Sequence, residues 1–445
     1  MDRVKFPNTA PPYVGEVKAL LVPQASRRYC GAIASVSHGQ IGKQHLERVF
    51  ILTDNHCIGW LDRGIAIPNF DKFKVPNCEF SVDDSVCCAL ECHGPKIFSR
   101  RTDAFFENNI TTQLPFLAKH AGPATVQLVP MIFQGTDPEE RKEVAEFLAK
   151  QLRANDLLII SSDLSHYHLP ANAAERYDNK TIGHLLSGTF PPGENCLCEP
   201  ESTDCFLTLA QKMGWTAHFL AYGHSGHVDG FADEVVSYGA MAWSTAPMKL
   251  PVDALEALED LALQTIHRRL HGDFPPDIGP LCRQFPQLHA RQSVFVTLKK
   301  QGQLRGCIGS LGDFSNTIGA GIVQHAIDAA FHDDRFSPVI ADEFSQLSAA
   351  VSILSFPRPL QLSPSQWVDH LGKTHPKPGV ILEINGRRST FLPEVWEVFP
   401  DGGAFLAALC EKQGSPAEAW RQQKNVRLLT YETQHSCGNR RDGGD

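Results

Sequence analysis

The chain has 445 residues, is 42% hydrophobic and 20% charged, and carries a formal net charge of −9. That length exceeds what one hydrophobic core serves and predicts two or three domains of ordinary globular composition. The negative balance argues against a broad nucleic-acid or anionic-membrane surface, and no stretch approaches the ~20 apolar residues of a membrane span. The start, MDRVKFPNTAPPYVGEV, lacks the apolar core of a secretory signal. Thirteen cysteines, scattered and without a CxxC pair, fit a reducing cytoplasm and exclude a structural zinc site of the usual spacing.

In the first half, apolar β-branched runs alternate with helical patterns. Val17 to Val22, Val49 to Thr53, Val126 to Phe133 and Leu157 to Ile160 predict buried strands. Asp137 to Leu152 predicts a helix with Asp137 as N-cap and Pro138 at its first position. The alternation implies a layered α/β domain over residues 1–245, with a largely parallel or mixed sheet. Sites in such sheets lie at the carboxyl ends of strands, and the residues found there are informative. Pro23-Gln24-Ala25-Ser26 follows the first run, Asp54-Asn55-His56-Cys57 the second, and Ser161-Ser162-Asp163-Leu164-Ser165-His166 the fourth. Asn195-Cys196-Leu197-Cys198-Glu199 lies between helical stretches. His56, Cys57, Asp163, His166 and Cys198 are residue types that bind divalent metals or move protons, or else serve as hydrogen-bonded loop residues.

LLVPQASRRYCG, VFILTDNHC, ENNITTQLPF, LIISSDLSHY, the segment around Cys198 and VVSYGAMAW resemble successive blocks of the Memo family. That family resembles the class III extradiol dioxygenases in fold, with a metal pocket at the sheet edge. The resemblance implies a dioxygenase-like α/β domain and a ligand set drawn from Gln24, His56, Asp163, His166 and Cys198. Its pattern has histidine at the position of Gln24 and again at Cys57. In its third block, two histidines and a glutamate stand where this chain has Asn108, Gln113 and Thr111. With an amide replacing one imidazole, the resemblance implies a divalent-metal site (iron, copper or zinc) that is weakened or lost. The alternative is a metal-dependent oxidoreductase whose site is remodelled around Cys57 or His166.

Ser244 to Pro251 has linker character, with the join placed at 246–252. Asp253 to Leu270 predicts a helix with Asp253 as N-cap. Ser293 to Lys300, a Gln301-Gly302 turn and Leu304 to Ser310 predict a β-hairpin. Its return strand carries glycine at 306 and 309 on either side of Cys307, which calls for a bulge or a close backbone approach. Cys307 is either a small buried hydrophobe or a thiol held as a nucleophile. Thr317 to Phe331 predicts a helix closed by His332-Asp333-Asp334-Arg335-Phe336, and Ala404 to Cys410 a short helix. Leu347 to Leu354, Val380 to Ile384 and Val426 to Tyr431 predict strands. Adjacent strands of this kind make the second half α+β.

VFVTLKKQGQLRGCIGS, AAFHDDRFSPV, GVILEINGRRSTFLPEVW and FLAALCEKQG resemble the AMMECR domain family, whose hallmark is LRGCIGS. The resemblance implies an AMMECR-type domain over 253–437, with 438–445 as a flexible tail. A Memo-like domain followed by an AMMECR domain resembles the AmmeMemoRadiSam arrangement, which implies a radical S-adenosylmethionine protein as partner. Cys307, Arg305, Asp333 and Arg335 are the candidate catalytic or binding residues of this half, with arginine available for a carboxylate or phosphate. The expectation is a small-molecule or peptide site at this hairpin, in a cytoplasmic protein without nucleic-acid or membrane partners.

Overall fold

The computed structural model describes residues 15–436, apart from 57–62, 77, 95, 107, 123–124, 168, 192, 194, 312–315 and 423. Cys57 and the tail 438–445 therefore lie outside the described residues. The chain divides into two compact units, Met1–Met248 and Lys249–Asp445. No described helix is long and apolar enough to cross a membrane.

The first unit is built on a ten-stranded sheet. Its strands are β1 (Val17–Val22), β2 (Arg48–Asp54), β3 (Gly64–Pro68), β4 (Lys72–Val75), β5 (Cys78–Val82), β6 (Phe98–Arg101), β7 (Gln127–Gln134), β8 (Asp156–Ser161), β9 (Thr216–His224) and β10 (Ser237–Ser244). The order is β4-β5-β7-β2-β8-β1-β10-β9, with β3 joining β7 and β6 joining β3. The four central strands β7, β2, β8 and β1 are parallel, while β10 and β9 close one side antiparallel. Every residue of β1, β2 and β8 is buried, which explains why these strands appear in the sequence as unbroken apolar runs. The predicted helix spans Pro138–Gln151, with a capping box in which Asp137 accepts from the Glu140 amide and Glu140 answers to the Asp137 amide. The more polar β4, β5 and β6 have no continuous apolar run to announce them.

The second unit has two four-stranded antiparallel sheets. One orders as β12 (Gln303–Gly309), β11 (Ser293–Lys300), β13 (Leu347–Leu354), β18 (Thr433–His435). The other orders as β14 (Arg358–Pro359), β17 (Val426–Tyr431), β15 (Gly379–Ile384), β16 (Arg387–Phe391). Val294, Val296 and Leu298 face the helix Ile318–Phe331, and the second sheet buries Trp367, Trp396, Phe405 and Trp420 in its own core. The unit's first helix runs Val252–Leu270 and begins one residue before the expected start. Its N-cap is Pro251, whose carbonyl accepts from the Ala254 and Leu255 amides, so Asp253 sits in the first turn instead.

In the hairpin, Gln301 and Gly302 take φ of 52° and 80°, the paired positive values of a tight two-residue turn. Arg305 is the extra residue of a bulge, because Leu298 pairs with Gly306 while Lys299 pairs with Leu304. The glycines answer to close approach. A Cβ on Gly306 would stand 2.1 Å from the Ala329 carbonyl oxygen, and one on Gly309 2.2 Å from the Phe295 ring.

Candidate metal site and the LRGCIGS hairpin

Parallel strands carry their carboxyl ends to one edge, so the residues after β1, β2 and β8 converge there. Gln24, His56 and the Asp163–His166 loop meet at this edge, joined by Cys198 and Glu199 just ahead of the helix Pro200–Lys212. Asp54 fixes that helix by accepting from the Glu201 and Ser202 amides at 2.8 Å each. Asp178, fully buried, holds the histidine-bearing loop through the Ser165 amide at 3.2 Å and hydroxyl at 3.1 Å, with Tyr222 donating to it at 2.9 Å.

Glu199 is the centre of the cluster and is fully buried. Its carboxylate lies 2.9 Å from His56 Nε2, accepts from Gln24 Nε2 at 2.5 Å and from the Asp54 amide, and stands 3.6 Å from Cys198 Sγ. Gln24 turns its amide nitrogen toward Cys198 and Glu199, while its oxygen accepts from Ser161 at 3.2 Å and Thr53 at 3.3 Å. The residue expected as a substitute ligand thus presents N–H to the cluster. Cys198 Sγ also accepts from the Asp163 amide at 3.0 Å, and His166 Nε2 lies 3.3 Å from Asp163 Oδ2. Ligand atoms of His56, Cys198 and Glu199 fall within 4.8 Å of one another, as do those of Asp163, His166 and Cys198. Burial, with Glu199 and Asp163 alongside, pushes the Cys198 thiol well above its ordinary range. Burial raises the Glu199 carboxyl too, and raises Asp54, where Glu199 adds repulsion. Burial outweighs the hydrogen bonds these acids and the thiol accept, an electrostatic setting that a cation relieves.

Of the third-block residues, Gln113 donates to the Pro23 carbonyl and the Ser161 hydroxyl, at 3.2 and 2.8 Å, and Asn108 and Thr111 form a short helical turn. Sequence reasoning passed over Glu199 and Asp54. The available signal was Cys198-Glu199-Pro200, an acid next to a thiol at a helix start.

At the hairpin, the candidate residues separate into two constellations. Asp333 accepts from the Cys307 amide at 2.9 Å and forms an ion pair with Arg335 at 2.7 Å, while Arg335 donates to the Cys307 carbonyl at 2.9 Å. Arg335 holds Asp333 well below the usual carboxylate range. Arg305 turns instead to Glu343, reaching both carboxylate oxygens at 3.2 and 2.6 Å, and to the Ser337 carbonyl at 2.8 Å. Lys300 joins Glu343 at 2.9 Å. The half-buried Cys307 thiol lies 3.3 Å from the Thr297 hydroxyl. The expected pocket shared by Arg305, Cys307 and the Asp333–Arg335 turn is therefore two ion-paired clamps, one on the Cys307 backbone and one at the bulge. Arg387 and Arg388 start β16 after an Asn385-Gly386 turn and engage the Gly414 carbonyl and Glu383.

A mixed α/β unit with a cluster of His, Cys and carboxylate side chains at its carboxyl edge, followed by an α+β unit built on a glycine-shaped hairpin, defines the class of two-domain protein to which the chain belongs. A family model for Memo-like protein matches residues 3–242, and one for AMMECR1 matches 259–436. The chain belongs to the Memo-like family and carries an AMMECR1 domain after it. It is 29% identical over 170 residues to the protein memo-1 homolog of Caenorhabditis elegans, 38% of this chain and 48% of that protein. The chain thus spans about half of that relative's length. It is 33% identical over 190 residues to a protein of Methanothermobacter thermautotrophicus, 41% of this chain and 93% of that one. A MEMO1 family protein of Sulfolobus acidocaldarius is 27% identical over 243 residues, 52% and 84% of the two chains.

Proposed function

We propose that the Memo-like unit is a metal-dependent small-molecule site, its divalent cation held by His56, Cys198 and Glu199. The carrying observation is the gathering of these three ligand atoms within 4.8 Å around a fully buried glutamate. A nitrogen, a sulfur and a carboxylate oxygen make a donor set suited to zinc, iron or copper. When bound, such a cation polarises an oxygen-bearing substrate or its own water. Gln24 and the Asp54 amide orient Glu199, as outer hydrogen bonds orient metal ligands generally. The Asp163–His166 pair lies beside this site, with His166 Nε2 3.3 Å from Asp163 Oδ2 and a ligand atom of each within 4.8 Å of Cys198 Sγ. Glu199 supports a remodelled site over a lost one, with the oxidoreductase reading following from the dioxygenase-like resemblance.

In the AMMECR1 unit, every candidate arginine and acid is ion-paired, which favours architecture or partner binding over nucleophilic chemistry at Cys307. A docking role toward a radical S-adenosylmethionine protein rests on the AmmeMemoRadiSam resemblance. The test of the metal site is elemental analysis of purified, dialysed protein. One tightly held divalent cation that disappears in Glu199→Gln supports it, and metal-free protein that takes up none on reconstitution defeats it.

A further inference from the structure

Asp163 and His166 form a second donor group that shares its sulfur with the first, since a ligand atom from each lies within 4.8 Å of Cys198 Sγ and of the other. The loop that carries them is fixed. Asp178 binds Ser165, His166 bridges to Val236, Asp163 Oδ1 accepts from the Gln24 amide at 2.9 Å, and the Cys198 amide donates to the Asp163 carbonyl at 3.2 Å. The remaining oxygen, Oδ2, faces His166 Nε2.

The geometry points to a two-cation centre bridged by the Cys198 thiolate, with one divalent cation on His56 and Glu199 and a second on Asp163 and His166. This rests on the single-cation reading above and extends it. A cation with ligand bonds of roughly 2.0–2.3 Å gathers all its ligand atoms within about 4.6 Å of one another. Among the described residues, the five donors form two groups, each gathered within 4.8 Å, rather than one. A thiolate has lone pairs enough for two metals, and Cys198 is the member common to both. Charge points the same way. The three anionic donors, the Cys198 thiolate, Glu199 and Asp163, together carry three negative charges, so one divalent cation leaves the donor atoms at −1 and two leave them at +1, with the Asp54 carboxyl outside that count. The two-cation centre would therefore take a small anionic substrate, a carboxylate or phosphate spanning both metals. Loading releases the Cys198 proton to solvent as its sulfur bonds the cations.

The test uses the full chain, stripped with chelator, in a background where the exposed Cys88 and Cys92 are replaced by serine to remove adventitious thiol sites. Zinc uptake is read by calorimetry and by elemental analysis after dialysis. The expected result is two zinc ions per chain, falling to one in His166→Ala or His166→Gln and to one in His56→Ala. Cys198→Ser should lose tight binding of both, with circular dichroism confirming the fold of each variant. One zinc per chain, unchanged by either His166 substitution, overturns the two-cation centre and leaves the single-cation reading standing. No tight zinc at all overturns both.

Discussion

The Glu199 carboxylate lies 2.9 Å from His56 Nε2, although the two residues stand 143 positions apart in the chain. The pairing converts a strand-end loop and a helix start into a joint donor set. Glu199→Gln keeps the shape and removes the charge. Zinc affinity by calorimetry should fall by roughly 100-fold or more, since even outer-shell partners of a metal are worth about 10- to 100-fold. An unchanged affinity would remove Glu199 from the ligands.

Gln24 carries the complementary prediction. Its amide nitrogen donates to Glu199 and Cys198, so it orients ligands without being one. Gln24→Ala should weaken zinc binding by about tenfold and leave the stoichiometry unchanged. A loss as large as that of Glu199→Gln would make Gln24 a ligand.

The hairpin glycines are set by backbone contact. Gly306→Ala drives a methyl into the Ala329 carbonyl and should cost about 3 kcal/mol or more in urea unfolding, at the upper end for overpacking. Gly372 is the control: it lies within the helix Pro364–Lys373 with open space around its Cβ position. Gly372→Ala should be neutral or stabilising by up to about 1 kcal/mol.

How much of this was legible in the sequence differs by kind of residue. Val17–Val22, Leu347–Leu354 and Val426–Tyr431 could be read to the residue, because buried strands and strongly apolar runs declare themselves. Gly306 and Gly309 announced a close approach, though not to what. Glu199 was hidden because a buried acid is chosen by its three-dimensional neighbours, here His56 and Gln24, and no periodicity encodes them. The partner of Arg305 was hidden for the same reason: at the bulge it pairs with Glu343, 38 residues on.

Glu343 gives a pH dependence with a definite sign. Arg305, aided by Lys300, lowers its carboxyl from an ordinary 4.5 to about 2. A depressed carboxyl contributes stability that is present above pH 4.5 and lost as pH falls toward 2. Glu343→Gln should cost about 2–3 kcal/mol at neutral pH and flatten the acid limb of a stability–pH profile over that window. A profile parallel to that of the parent protein would contradict the assignment.

Cys307 is predicted to be structural. Cys307→Ser preserves the contact with Thr297 and should shift stability by less than about 1 kcal/mol. Asp333→Asn, which loosens the clamp on the Cys307 amide and Arg335, should cost about 2 kcal/mol. The reverse ranking in thermal melts, or stoichiometric labelling of Cys307 by iodoacetamide far faster than free cysteine, would return the thiol to chemistry.

In the proposed site, Cys198 and Glu199 together hold a divalent cation beside His56. X-ray absorption on protein loaded with a single equivalent of zinc tests it most directly. The predicted spectrum has one sulfur among nitrogen and oxygen neighbours, and loses that sulfur in Cys198→Ser. A shell of nitrogen and oxygen alone, identical in the two proteins, would contradict it.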